Sequence, residues 1–360
     1  MPHRSKGSSH ASAADVAACR ASLHGGSKTF FAASLALPRA VRQPAAALYA
    51  FCRMADDAID HGTDRDAALR DLHRRLDLIY AGVPGDTAAD RAFADCALRF
   101  AIPKQYPLAL LEGFEWDAMG RRYEDLSALR SYGVRVAGTV GAMMVMVMNV
   151  RERELVARAC DLGVAMQFTN IARDVGEDAR NGRLYLPLQW MREAGLDPGA
   201  WLARPVFCRP LARVIERLLA EAKVLYERSE PGLARLPPAC RPGMYAARLL
   251  YAQIGDEIAR RGFDSVSERA VVPWRRKARI LANTWVAAKR QWAVEPIAHL
   301  AEGEFLLDAF TPLSPAAACQ DTARERARWP RVDDRVAWLV DLFERLERRD
   351  RAAGQAVNLS

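Results

Sequence analysis

Residues 167–178 read Gln-Phe-Thr-Asn-Ile-Ala-Arg-Asp-Val-Gly-Glu-Asp, a stretch that combines apolar and acidic residues in one regular pattern. Asn170, Asp174 and Asp178 follow one another four residues apart, so on a helix their side chains share one face. Apolar residues continue at helical spacing over residues 151–180, and the Asn-Gly that follows is typical of a helix end. The pattern predicts a long apolar helix that displays a row of carboxylate and amide oxygens.

A second acidic row precedes the first in the chain. Residues 53–60 read Arg-Met-Ala-Asp-Asp-Ala-Ile-Asp, which places Asp56 and Asp60 on one helical face at the end of an apolar stretch. Carboxylates and an amide oxygen, with no His or Cys beside them, suit a hard cation, and Mg²⁺ fits best because it also binds phosphate oxygens. Mn²⁺ is the alternative ion. Two such rows facing each other across a helical bundle would hold a diphosphate through bound ions.

A solvated helix end and a glycosidase site could each contain acidic residues of this kind. A solvated helix end accounts for either row alone about as well as a functional site does. Here, however, there are two rows, and each stands beside an arginine within apolar sequence. Glycosidases also use paired carboxylates, although these usually come singly from strand ends or loops. The two rows therefore favour a diphosphate site.

The composition of the 360 residues narrows the class of protein. The chain has 51% apolar residues and a net charge of +8, which excludes a disordered polyelectrolyte. Six of the 52 basic residues are lysine, so 52 − 6 = 46 are arginine, whose guanidinium suits phosphate. The acidic motifs assign a few of these arginines to a diphosphate, and we expect no nucleic-acid partner. The odd number of cysteines, seven, without a C-x-x-C pair, predicts free thiols in the cytoplasm.

Helical periodicity dominates the chain and no alternating strand pattern is found, so we predict an all-α fold. We expect a flexible tail at residues 1–20, one domain at 21–292 and a C-terminal extension at 293–360 that ends in an amphipathic helix. The longest uncharged run, 136–150, is too short to span a membrane. Its small residues and methionines predict the wall of an apolar cavity, although ordinary helix packing accounts for each small residue equally well.

Several motifs, in this order, resemble the squalene and phytoene synthase family of head-to-head isoprenoid synthases. The resemblance spans about residues 21–281 and is carried by residues 26–30, 47–60, 132–141, 167–178, 182–187, 245–248 and 260–264. It implies a single-domain isoprenoid synthase fold, a helical bundle around a central cavity. The implied reaction is Mg²⁺-dependent condensation of two geranylgeranyl diphosphates to 15-cis-phytoene through a cyclopropyl diphosphate, the first committed step to carotenoids.

Two alternatives stay open at this point. One is a squalene or dehydrosqualene synthase that acts on farnesyl diphosphate. The other is a non-enzymatic subunit that has kept the fold, against which the intact Asp and Arg motifs argue. The apolar substrate tails and product that the resemblance implies predict peripheral contact with the membrane, with a downstream phytoene desaturase as a partner.

The resemblance assigns a role to individual residues. The implied metal ligands are Asp56, Asp60, Asn170, Asp174 and Asp178. The implied catalytic tyrosines are Tyr49, Tyr132 and Tyr185. The implied substrate-binding residues, which include part of the apolar wall, are Ser27, Lys28, Phe30, Arg53, Val136, Ala137, Gly141, Gln167, Arg173 and Arg183. This chain departs from the family pattern at Gly26, where some members have His, and at Val134, where many have Tyr.

Overall fold

The computed structural model describes residues 9–61, 64–288 and 297–310. These residues form α-helices, a π-helical turn at Val134–Gly138 and a 3₁₀ turn at Ala301–Gly303, with no β-strand among them, and the predicted all-α class is confirmed. In chain order the helices are α1 (Ala13–Gly26), α2 (Lys28–Leu35), α3 (Arg39–His61), α4 (Arg65–Tyr80), α5 (Ala88–Arg99), α6 (Gln105–Ala118), α7 (Leu126–Gly133), α8 (Thr139–Val147), α9 (Arg153–Arg180), α10 (Leu188–Glu193), α11 (Pro198–Ala203), α12 (Arg209–Arg235), α13 (Arg241–Arg260), α14 (Trp274–Ala287) and α15 (Glu304–Asp308).

Helix α9 is the central element of the bundle. It packs against α8, α12, α13 and the π-turn. Most of its residues are buried, because its sequence is apolar on nearly all sides. It begins and ends within two residues of the predicted range 151–180, and its second half carries the acidic row.

The backbone of the π-turn and of α8 lies very close to α9. A Cβ atom on Gly163 would lie 2.3 Å from the carbonyl oxygen of Ala137, and one on Gly141 would lie 2.2 Å from that of Ala159. Glycine permits this approach on both elements, Gly163 on α9 and Gly141 on α8, because it has no Cβ atom. Gly141 therefore has a packing role in addition to any contact with substrate. The apolar sequence before residue 149 is not one straight helix, because the π-turn interrupts it between α7 and α8.

The two ends of the described chain pack against the bundle. Residues 13–20, predicted as part of a flexible tail, form most of α1, whose capping box joins Ser12 and Asp15. Residues 297–310 lie against α6 and α9, where the Tyr106 hydroxyl donates to the Leu306 carbonyl oxygen at 3.1 Å. The predicted terminal amphipathic helix, at residues 332–346, lies outside the described residues. No described helix combines the length and the apolarity needed to cross a bilayer.

Candidate active site

A polar cavity of about 650 Å³ opens between α2, α3, α6, α9 and α13. Residues proposed from the sequence make up a large part of its wall. Those that line it are Ser27, Phe30, Tyr49, Arg53, Asp56, Tyr132, Val136, Gln167, Asn170, Arg173, Asp174, Asp178, Arg183 and Tyr185. Lys28 begins α2, but its side chain is not among those described. The structure thus brings residues that are more than 100 positions apart in sequence into one cleft.

Helix α3 brings the first acidic row to this cavity. The guanidinium of Arg53 binds Asp57 at 2.7 Å and approaches Asp56 at 3.5 Å. Burial, together with the nearby carboxylate of Asp60, raises the pKa of Asp56 to about 6. The row therefore holds more negative charge than its own arginine neutralises, which is the condition predicted from the spacing of the residues.

Helix α9 brings the second row. The Arg173 guanidinium donates two hydrogen bonds to Asp174, at 2.8 and 2.6 Å. Arg269, from the segment before α14, also binds Asp174, at 2.8 and 3.3 Å. Burial, with the charge of Asp174, raises the pKa of Asp178 to about 7. Asp174 thus has two arginine partners, whereas Asp178 lies half-buried near another carboxylate.

One ion pair joins the first row to the segment that follows the second. Arg183, just after α9, donates to Asp60 at the end of α3 at 2.6 Å. Asp60 is not part of the cavity wall, so this contact is what connects it to the cleft. Burial disfavours the charged guanidinium, but the Asp60 carboxylate outweighs this effect and raises the pKa of Arg183.

Tyrosines form a third side of the cleft. The hydroxyls of Tyr132 and Tyr185 both donate to Asp117 on α6, at 2.8 Å to one carboxylate oxygen and 2.7 Å to the other. The two rings are stacked, with centroids 5.2 Å apart, and the ring of Tyr123 packs against both. Burial raises the pKa of Asp117 to about 6, while the two tyrosine hydrogen bonds oppose that rise.

A second, apolar cavity of about 270 Å³ adjoins the polar one. Phe30, Tyr49, Val136, Gln167 and Asn170 line both cavities and so mark the junction. Small and flexible side chains form much of the remaining wall, which includes Ala33, Ser34, Ala137, Val140, Gly141, Met144, Gly163, Met166, Gly243 and Met244. The proposed residues Ala137 and Gly141 belong to this apolar part. A charged head group and an apolar tail would each find a matching environment across the junction.

A family model described as squalene/phytoene synthase matches residues 23–277. The chain belongs to the squalene/phytoene synthase family. It is 54% identical to a phytoene synthase from Cereibacter sphaeroides, over 73% of this chain and 77% of that protein. It is 41% identical to a 15-cis-phytoene synthase from a Paracoccus species, over 68% of this chain and 82% of that protein. Among solved structures, a dehydrosqualene synthase in complex with a ligand superposes with a TM-score of 0.70 at 31% identity, covering 77% of this chain and 97% of that one.

The oxygens of this squalene/phytoene synthase fit a hard divalent cation. The amide oxygen of Asn170 is buried without a hydrogen-bond partner among the described residues, and it lines both cavities. It precedes Asp174 by one helical turn and Asp178 by two. No group of three or more His, Cys, Asp or Glu side chains in the described ranges is gathered closely enough to hold a metal ion unaided. The available donors are therefore the paired carboxylates and this amide oxygen, all of which are oxygen ligands that Mg²⁺ accepts.

Three of the cavity residues that sequence reasoning missed in this family member contact residues that it proposed. Asp117 is a lone acid on α6, Arg269 lies in an irregular segment and Tyr251 lies on α13, where its ring contacts Phe30 with centroids 5.1 Å apart. Asp117 precedes Arg121 by four residues, but this spacing does not point to its tyrosine partners, and Arg269 has no acidic residue at helical spacing. Their contacts with Tyr132, Tyr185 and Asp174 arise only from the packing of distant segments.

Proposed function

We propose that the chain is a 15-cis-phytoene synthase that joins two geranylgeranyl diphosphates head to head. The observation that carries this proposal is a pair of adjoining cavities: two acidic rows and four arginines border the polar cavity, which shares wall residues with the apolar one. The 54% and 41% identical relatives named phytoene synthase support this activity over that of a squalene synthase. The polar end would take the diphosphates and the apolar end the prenyl tails.

The first step is ionisation of one substrate. The bond between its first carbon and the diphosphate oxygen breaks, the electron pair leaves with the diphosphate, and an allylic cation remains. Arg53, Arg173 and Arg269 line the cavity and would take up the negative charge of the diphosphate. A bound ion supplies positive charge that stabilises the departing diphosphate. The residues that would hold Mg²⁺ or Mn²⁺ are Asp56, Asp60, Asn170, Asp174 and Asp178.

The cation then reacts away from water. The double bond of the second substrate attacks it, and loss of a proton closes the cyclopropyl ring. The second diphosphate leaves in the same way, the skeleton rearranges, and loss of another proton gives the hydrocarbon. The apolar cavity would exclude water from the cations, and Tyr132 and Tyr185, which line the adjoining polar cavity, would offer aromatic rings and phenol oxygens to a cation there.

The experiment that tests this function is incubation with Mg²⁺ and either geranylgeranyl or farnesyl diphosphate, followed by chromatography of the hydrocarbons. We expect a forty-carbon product from geranylgeranyl diphosphate. A thirty-carbon product formed only from farnesyl diphosphate would establish the alternative, a squalene or dehydrosqualene synthase. No release of diphosphate from either substrate would leave only a non-enzymatic role.

We also propose that the protein works in the cytoplasm, the compartment that the cysteine pattern predicts, and that it contacts the membrane surface, because both substrate tails and the product are apolar. Val271, which lines the cavity, is 61% exposed and lies two residues from Arg269, so an apolar and a cationic side chain stand together there. We expect Val271→Asp to weaken sedimentation with anionic vesicles. Val83→Asp is the matched control, since Val83 is 59% exposed but does not line the cavity. Absence of vesicle binding by the unaltered protein at low salt would contradict this proposal.

The partner that receives the product is a phytoene desaturase. A long hydrocarbon has almost no solubility in water, so direct or membrane-mediated transfer to the next enzyme is favoured. In a coupled assay with vesicles, a desaturase should consume phytoene made in place faster than phytoene added from outside. Equal rates would contradict a direct transfer.

A further inference from the structure

The hydrogen bonds around Asp117 fix which way the two neighbouring phenols point. A phenol carries one proton, and Tyr132 and Tyr185 each donate theirs to a different oxygen of the Asp117 carboxylate. Neither hydroxyl can then donate to a diphosphate without giving up this bond. Both present only oxygen lone pairs to other neighbours, and both line the cavity.

We propose that Asp117 is a positioning residue that turns Tyr132 and Tyr185 into acceptors, so that the phenol oxygens stabilise the reacting cations and take the proton that a cation loses. The proposal deepens the phytoene synthase function and rests on it. It also excludes one role for these tyrosines: a phenol that donates its proton to Asp117 cannot donate it to a departing diphosphate.

The proton transfer balances without any further reactant. A C–H bond next to the cationic centre breaks, and its electron pair stays on carbon as the new carbon–carbon bond. The proton goes to the oxygen of Tyr132 or Tyr185, whose own proton moves along the existing hydrogen bond to Asp117. Of the two protons lost in one turnover, this relay takes the second, and the carboxylic acid releases it to water when the product leaves, so the cycle can restart.

The surroundings of Asp117 match this role. The rings of Tyr132 and Tyr185 stack at 5.2 Å and both pack against Tyr123, so the hydroxyls cannot swing away from the carboxylate without breaking the stack. No arginine or lysine forms an ion pair with Asp117 in the described part of the chain, in contrast to the aspartates of the two acidic rows that bind arginine. The carboxylate therefore keeps its capacity to accept a proton instead of being neutralised by a fixed cation.

The test is Asp117→Asn, which preserves shape but cannot accept a proton. We expect kcat with geranylgeranyl diphosphate to fall by at least about 100-fold, the size of a lost acid–base contribution. KM, and binding of an unreactive thiolodiphosphate analogue, should stay within about threefold of the wild type, because the arginines that would bind the diphosphate are unchanged. Glu115→Gln is the matched control: it removes an acid from the same helix, two residues away, and should leave kcat unchanged.

A second set of variants keeps the proposal testable if Asp117→Asn does not fold. Tyr132→Phe and Tyr185→Phe retain the stacked rings and should each lower kcat, and the double variant should lose about as much as Asp117→Asn. Asp117→Glu should recover part of the lost kcat. The proposal is overturned if Asp117→Asn keeps kcat within about threefold, or if its loss appears in KM and analogue binding alone. If the wild-type protein makes no product from either diphosphate, the proposed function itself fails, whatever the variants do.

Discussion

The close approach of α9 to the π-turn and α8 leads to a quantitative prediction. Gly163→Ala places a methyl group 2.3 Å from the carbonyl oxygen of Ala137, and the atom it meets is backbone, which cannot rotate away. Overpacking costs about 1–3 kcal/mol, and a clash with backbone that cannot move aside belongs in the upper part of that range, about 2–3 kcal/mol. Replacing a helical glycine by alanine recovers up to about 1 kcal/mol. The net expectation is a loss of about 1–2 kcal/mol in the free energy of unfolding.

Thermal unfolding followed by circular dichroism measures this loss. One kcal/mol corresponds to roughly 2–4 °C in a domain of this size, so the midpoint should fall by roughly 2–8 °C. Gly25→Ala is the matched control, because Gly25 also lies in a helix, α1, but has no atom within 4 Å of its added Cβ. Its midpoint should stay the same or rise. A Gly163→Ala protein as stable as the wild type would show that the two backbones are not in contact.

Three further predictions concern the cleft. Asp174→Ala should abolish turnover and leave a folded helical protein by circular dichroism; full activity would refute its place among the metal ligands. Arg269→Gln should raise KM for geranylgeranyl diphosphate by at least about tenfold, because charge-assisted hydrogen bonds hold a diphosphate. The same substitution at Arg99, which lies outside the cavity, should leave KM unchanged. Burial raises the pKa of Asp178 to about 7 and of Asp56 to about 6, so the folded metal-free protein holds protons that the unfolded chain has lost, and its unfolding midpoint should fall as the pH rises from about 5 to about 8. Added Mg²⁺ should then raise the midpoint more at about pH 8 than at about pH 6, and an equal shift at both pH values would contradict the site.

The parts of the cleft that could be predicted from the sequence are those in which the site residues lie close together along one helix. Asp174 and Asp178 share a helical face whatever surrounds the helix, and the apolar pattern of α9 places that face within a bundle. The positions of Asp117 and Arg269 depend instead on how α6 and the segment before α14 pack against distant helices. No short-range pattern encodes that packing.

The periodicity of apolar residues also could not predict the π-turn. A π-turn changes the direction of the side chains that follow by a fraction of a helical turn, yet it leaves the apolar composition unchanged. Val136 and Ala137 were predicted as cavity residues because the run around them is small and apolar. In the structure both line the apolar cavity, while a Cβ on Gly138 would meet the sulfur of Cys160.

The docking of residues 297–310, a C-terminal strap, bears on how members of this family can be recombined. Similarity to the family model ends at residue 277, but the buried side chain of Arg158 on α9 reaches the Ala298 carbonyl oxygen, at 3.3 Å, and Arg153 reaches that of Leu307, at 2.6 Å. An exchange of the matched region alone between two family members would pair these arginines with a foreign strap. The unit that can be transplanted intact therefore includes the strap as well as the catalytic helices, even though the strap contributes no residue to either cavity.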